Sequence, residues 1–232
     1  MKNIKIIRNL VTDALILALI LLFTFVPQIG YIQIIPGTLA ITTVHLVVLI
    51  GASLFGWKRA TLYGLFFGIS SLIAAFTSAS QFNMLFINPF VSILPRVLFG
   101  FISGIIIDLL KKHMTLKSFG ILLPFLVAIL TLIHTVLTLG CVYIFGILDI
   151  FKISKALGLE EFCNNVNQAG FIIMLGSATF IGALGEAAAS FIIVPAAFFA
   201  LRTIKFIKEN DSSYKVKEIK ESNEINNNTS AS

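Results

Sequence analysis

Long apolar runs separated by short polar breaks dominate this chain, and their lengths are those of membrane-crossing helices. A hydrocarbon core of about 30 Å takes about 20 apolar residues per helix. Six runs approach that length: residues 10–26, 39–55, 60–76, 91–110, 119–145 and 181–204. The second and third are short and nearly end to end, joined by Gly56-Trp57-Lys58-Arg59. The first run has no small-x-small cleavage pattern behind it, only Pro27 and an uncharged turn, so it reads as a retained helix. The pattern predicts an all-α membrane protein with six transmembrane helices in one domain, residues 1–208. Residues 209–232 are polar, mixed in charge and low in complexity, and are expected to be a disordered cytoplasmic tail.

Basic residues orient this bundle. Alternate breaks on one side collect eleven lysines and arginines: Lys2, Lys5, Arg8, Lys58, Arg59, Lys111, Lys112, Lys117, Arg202, Lys205 and Lys208. The other side receives only Lys152 and Lys155. The positive-inside rule therefore predicts both termini in the cytoplasm of a cell membrane. Composition agrees: 57% of residues are hydrophobic and 12% charged, where a soluble domain carries about 25% charged residues. The net charge of +6 sits at the ends of apolar runs, so it gives no reason to expect a nucleic-acid partner.

The outward segments are unusual for loops. Residues 27–38 and 77–90 hold no charge and are rich in aromatic and amide side chains. Residues 146–180 join them, with "DIFKISKALGLEEF" expected as an interfacial amphipathic helix. Such loops either lie in the headgroup layer or fold over a cavity and supply hydrogen bonds, as lids on small-molecule sites do. The second reading predicts an outward-facing ligand pocket capped by loops 1–2, 3–4 and 5–6.

Catalytic motifs are missing. No GxxxxGK[ST], HExxH or GxSxG occurs, and His45, His113 and His134 are scattered along the sequence. Cys141 and Cys163 show no metal-ligand spacing. Neither a cofactor nor a metal is expected, and the chain does not read as an enzyme.

Polar residues inside a membrane are costly and usually face the bundle interior or a cavity. Arg96 starts an uncharged stretch, Val97 to Ile107, at the outer end of the fourth run. Glu186 is expected one turn inside the outer end of the sixth run, and His45 two turns into the second, after Thr42 and Thr43. Asn88 precedes the fourth run. Arg96 could snorkel to headgroups, pair with Glu186 as a bridge between helices, or offer its fork of donors to a carboxylate or phosphate. Asp13 and Asp108 fall at cytoplasmic helix ends and read as plain interfacial charges. Small residues recur at four-residue spacing: Ala14 with Ala18, Gly64 with Gly68, Gly100 with Gly104. The glycine pairs are expected to pack helices inside the bundle, while the alanine pair could serve an external partner.

Two stretches carry a family likeness: "IIPGTLAITTVHLVVLIGASLFGWKRATLYGLFFGISSLIAAF" (34–76) and "NPFVSILPRVLFGFISGII" (88–106). Together they resemble the substrate-binding S components of energy-coupling factor (ECF) vitamin transporters. The likeness covers about residues 8–205, and the TTVH and LPR signatures look most like the branch that includes pantothenate and cobalamin-precursor transporters. It implies high-affinity capture of a vitamin from outside, with a transmembrane coupling subunit and two ATP-binding subunits as partners. It also implies that Ala14 and Ala18 form the coupling interface and that the S component tips over in the membrane during transport. Pantothenate carries one carboxylate, hydroxyls and an amide. Arg96 would take the carboxylate, with Asn88, His45, Thr43 and Glu186 completing the site. A cobalamin precursor or riboflavin is the alternative solute, and an intramembrane lipid-modifying enzyme the alternative class.

Overall fold

The computed structural model describes residues 2–35, 39–77, 86–146 and 168–202. The apolar runs fold as α1 (Lys2–Phe25), α3 (Val44–Phe55), α4 (Trp57–Thr77), α6 (Leu94–His113), α7 (Leu116–Cys141) and α8 (Gln168–Arg202). Between them lie single turns α2 (Pro27–Gly30) and α5 (Pro89–Ser92), and a hairpin of β1 (Tyr31–Ile35) and β2 (Leu39–Thr42). Four of the helical segments are long and apolar enough to cross a membrane, and residues 9–25 and 44–55 form shorter apolar helices. The expected six-helix bundle is therefore present. The expected interfacial helix at 149–162, Cys163 and the tail from Glu209 lie outside the described residues, as does most of the loop 77–90.

Glycine spacing decides how the central helices meet. A Cβ added at Gly64 would strike the carbonyl of Arg96, and one at Gly100 the carbonyl of Ala60, with the facing glycine Cα only 3.2 Å away in each case. A Cβ added at Gly68 would meet the Cα of Ile93 at 2.8 Å, and one at Gly104 the Cα of Trp57 at 2.5 Å. The two pairs thus interdigitate and let α4 and α6 touch backbone to backbone. This close pairing carries the fourth run's polar end, with Arg96 on it, into the bundle.

The second run does not form one helix. Residues 39–42 pair as a strand with 31–35, Tyr31 opposite Thr42 and Ile32 opposite Ile41. The helix that remains has 12 residues and is only about 18 Å long at 1.5 Å per residue. It is too short for a full crossing, and the rest of the second run is strand β2. His45 is accordingly the second residue of α3, not two turns into it. The last helix differs the other way: α8 already begins at Gln168 and runs 35 residues. Glu186 therefore sits near its middle and not one turn from its end.

The basic end of the bundle is tied by its own charged groups. Asp108 accepts a hydrogen bond from the Trp57 backbone N–H at 2.8 Å, an anion at the first turn of α4, where the helix dipole favours it. Gly56, at φ +87°, leaves room there, since its Cβ would meet the Asp108 carboxylate at 2.9 Å. Asp13 accepts from the Tyr63 hydroxyl at 2.5 Å and lies 3.5 Å from the Arg59 guanidinium. These two carboxylates join helices and are more than the surface charges the sequence suggests. Lys111 also departs from a loop charge. It is buried, donates to the carbonyl of Ser53 in the last turn of α3, and lies over the Phe119 and Phe198 rings. A cation at that helix terminus is favoured by the same dipole.

Candidate functional site

The opposite end, under the hairpin, gathers polar side chains from four helices. Pro89 and Pro95 stand near the starts of α5 and α6, where a missing N–H costs little, and Asn88 caps α5 by accepting from Phe90 N at 3.0 Å. Its amide also donates to the Phe145 carbonyl at 3.4 Å, linking this turn to the π-helical turn Val142–Gly146 that follows α7. The cap points α6 so that Arg96 falls in its first turn, facing inward.

Arg96 does not snorkel. It is only 6% exposed. Its Nη1 donates to the carbonyls of Val91 at 2.7 Å and Ser92 at 3.0 Å. The guanidinium lies over the rings of Phe86, at 4.8 Å, and Phe67, at 5.5 Å. Cation–π contact of this kind holds a guanidinium flat in a dry site. The ion pair with Glu186 considered from the sequence is not among the contacts of the described residues. Glu186 instead accepts from the backbone N–H of Thr42 at 2.6 Å and its hydroxyl at 2.7 Å, both at Oε1. A charge-assisted pair of this length is strong, so Glu186 ties β2 to the middle of α8.

Thr43 is likewise committed to the hairpin: its hydroxyl donates to Ile29 O at 2.6 Å, and its N–H to Gly30 O at 2.9 Å. Next in sequence after Val44, His45 is fully buried. Its ring stacks on that of His134 from α7, centroids 5.4 Å apart and planes 15° from parallel. Phe99 packs edgewise on both imidazoles, at 6.3 Å and 4.8 Å, and Phe67 stacks on His134 at 5.9 Å. Phe67 therefore carries Arg96 on one contact and His134 on another. One ring nitrogen each of His45 and His134 and one carboxylate oxygen of Glu186 all lie within 4.8 Å of one another.

Orphaned polar atoms mark this end. Neither ring nitrogen of His45 or His134 meets hydrogen-bond geometry with a described group, and the hydroxyls of Ser92 and Thr138 are buried without a partner among the described residues. Ser92 lies one turn before Arg96, and Thr138 one turn after His134. Buried polar groups are hydrogen-bonded in the large majority of cases, and a cluster without partners calls for a ligand, an ion or water.

Of the residues singled out from the sequence, Arg96, His45 and Glu186 enter this cluster, Asn88 and Thr43 brace its frame, and Ala14 and Ala18 lie elsewhere. Both alanines are exposed on α1, beside Leu10, Leu15 and Leu19, while Ile16 and Ile20 face the core. His134 and Thr138 are the residues that sequence reasoning misses. They sit in an apolar run about 90 residues from His45, and only a helix-face reading of α7 together with the fold puts the two histidines ring to ring.

Comparison with known proteins adds identity to this geometry. The family model for the substrate-specific component of ECF transporters matches residues 8–198. A protein named pantothenate transporter PanT, from Leuconostoc mesenteroides subsp. mesenteroides, is 34% identical over 136 residues. That match takes in 56% of this chain and spans 65% of the relative's length. The chain belongs to the ECF substrate-specific component family and is a multi-pass membrane protein.

Proposed function

We propose that this member of the ECF substrate-specific components captures pantothenate or a closely similar carboxylate-bearing vitamin at the hairpin end of the bundle. Arg96 is the anchor. The observation that carries the reading is a buried guanidinium resting on Phe67 and Phe86, beside imidazole and hydroxyl groups whose polar atoms do not meet hydrogen-bond geometry with any described residue. A planar fork of donors suits a carboxylate, and the orphaned groups suit the hydroxyls and amide of the same molecule. The likeness to the Leuconostoc pantothenate transporter supports the same solute.

Asn88 frames the site next to Arg96, His45 and His134 line it, and Glu186 with Thr42 and Thr43 holds the hairpin over it as a lid. The hairpin end faces outward and both termini lie in the cytoplasm, as the distribution of lysine and arginine supports. Ala14 and Ala18 dock the chain onto a transmembrane coupling subunit, which works with two ATP-binding subunits. Their position on an exposed small-residue stripe of α1 supports this, because small side chains let a partner helix approach closely.

Equilibrium titration of detergent-purified protein with pantothenate tests the solute. One saturable site is expected, with riboflavin failing to compete. Tight riboflavin binding without pantothenate binding would replace the solute and leave Arg96 a structural role. Docking is tested separately. Cells carrying Ala14→Leu together with Ala18→Leu should lose uptake while the purified variant still binds. Undiminished uptake would remove α1 as the docking face.

A further inference from the structure

Two buried imidazoles beside a buried carboxylate are also the donor set of a metal ion. We propose that His45, His134 and Glu186 form a binding site for a first-row divalent cation of the zinc type, within the bundle. The three side chains come from three separate helices, α3, α7 and α8, and all three are buried. Their ligand atoms already lie within 4.8 Å of one another. Around a tetrahedral zinc, with bonds of about 2.0–2.1 Å, donor atoms stand about 3.3 Å apart. Closing that difference takes small side-chain rotations and no movement of helices.

The donor chemistry fits as well. Both histidines present nitrogens without hydrogen-bond partners among the described residues, although the Thr42 carbonyl lies near His45. A hydrogen bond from His45 to that carbonyl would fix its tautomer and turn the other nitrogen toward the metal, as outer-shell carbonyls do for metal-bound histidines. Glu186 uses Oε1 for Thr42, which orients the carboxylate that also lies beside the two histidines. Two neutral imidazoles and one carboxylate are a set that zinc accepts with a fourth position open. Glu186 cancels one of the ion's charges, and Arg96 lies within electrostatic reach of His134. The remaining positive charge would draw an anionic oxygen ligand into that fourth position. Hairpin and ion are then coupled, because one carboxylate serves both.

The test uses the full-length protein in detergent, stripped with a chelator and free of vitamin, titrated with Zn²⁺ in competition with a zinc indicator. One ion per chain is expected. His134→Gln and Glu186→Gln should each weaken it at least about 100-fold, since loss of an outer-shell partner alone costs about 10–100-fold. His113→Gln, at the far end of α6, should bind as the parent does. Co²⁺ in place of zinc should give the visible absorption of a four-coordinate site with nitrogen and oxygen ligands. Glu186→Gln keeps an oxygen for Thr42, and its melting temperature shows whether a loss reflects unfolding. The proposal is overturned if the folded parent takes up no stoichiometric zinc, or if His134→Gln leaves zinc affinity unchanged. It is overturned equally if the parent ignores zinc while the same variants lose pantothenate, which would give the triad to the organic solute.

Discussion

The two ends of the bundle use the same kinds of side chain for opposite purposes. At the basic end Asp108 caps α4, Asp13 joins Tyr63 and Arg59, and Lys111 closes the carboxyl end of α3. These polar groups are spent on holding helices together. At the hairpin end Arg96 is braced by carbonyls and rings, while His45, His134, Ser92 and Thr138 keep buried polar atoms that do not meet hydrogen-bond geometry with any described residue. Satisfied polar groups stabilise a fold, and unsatisfied ones cost it stability unless something else arrives to complete them. Asn9 Oδ1 and Arg59 Nη1 at the basic end also lack hydrogen-bond partners among the described residues, so it is the clustering of open buried polarity, and not charge or a single orphaned atom, that points to a ligand.

Substitutions can separate the two ends. Gly64→Val should have the largest effect, because it attacks the contact on which both depend. Its side chain would strike the Arg96 carbonyl, and overpacking of this kind costs about 3 kcal/mol. The variant should melt well below the parent and lose ligand binding as well; an unchanged melting curve would show that α4 and α6 do not touch as described.

Lys111→Met comes next and should split the readouts. Removing the partner of a buried carbonyl costs about 2 kcal/mol, seen as a lower melting temperature, with ligand affinity within about threefold of the parent. Thr42→Val should show the reverse split, with a smaller effect. It removes one of two hydrogen bonds to Glu186, worth about 1.5 kcal/mol, or roughly tenfold in the population of closed hairpin. Stopped-flow measurement should find faster ligand release and a nearly unchanged melting temperature. If Lys111→Met weakened binding as much as it lowered melting, the division between the ends would fail.

Much of this architecture can be read from residue pattern. Apolar run length locates the six helices, and four-residue glycine spacing marks α4 and α6 as helices that pack closely inside the bundle, though not against which partner. Arg96 stands out because a charge at the head of an apolar run needs a reason. The hairpin does not announce itself, since Leu39-Ala-Ile-Thr42 is as apolar as the helix that follows, and short apolar runs look alike in strand and helix. Hydropathy likewise does not show that α8 starts at Gln168, because Gly176-Ser-Ala-Thr179 separates the short apolar piece Phe171–Leu175 from the long run that follows. The least legible features are the long-range ones. Glu186 and Thr42 are 144 residues apart in sequence, and depth along a helix, judged from the wrong helix start, points Glu186 toward Arg96 instead. The stacked histidines are hidden for the same reason: each is a single polar residue in an apolar run until the fold brings them together.

Calorimetric titration of pantothenate into the purified parent and into Arg96→Ala, in one detergent and with melting temperatures matched, tests the central claim most directly. Losing a buried charge-assisted contact costs about 3 kcal/mol, so the dissociation constant should rise at least about 100-fold. Equal affinities in the two proteins, both folded, would contradict the account and leave Arg96 as a brace for the first turn of α6.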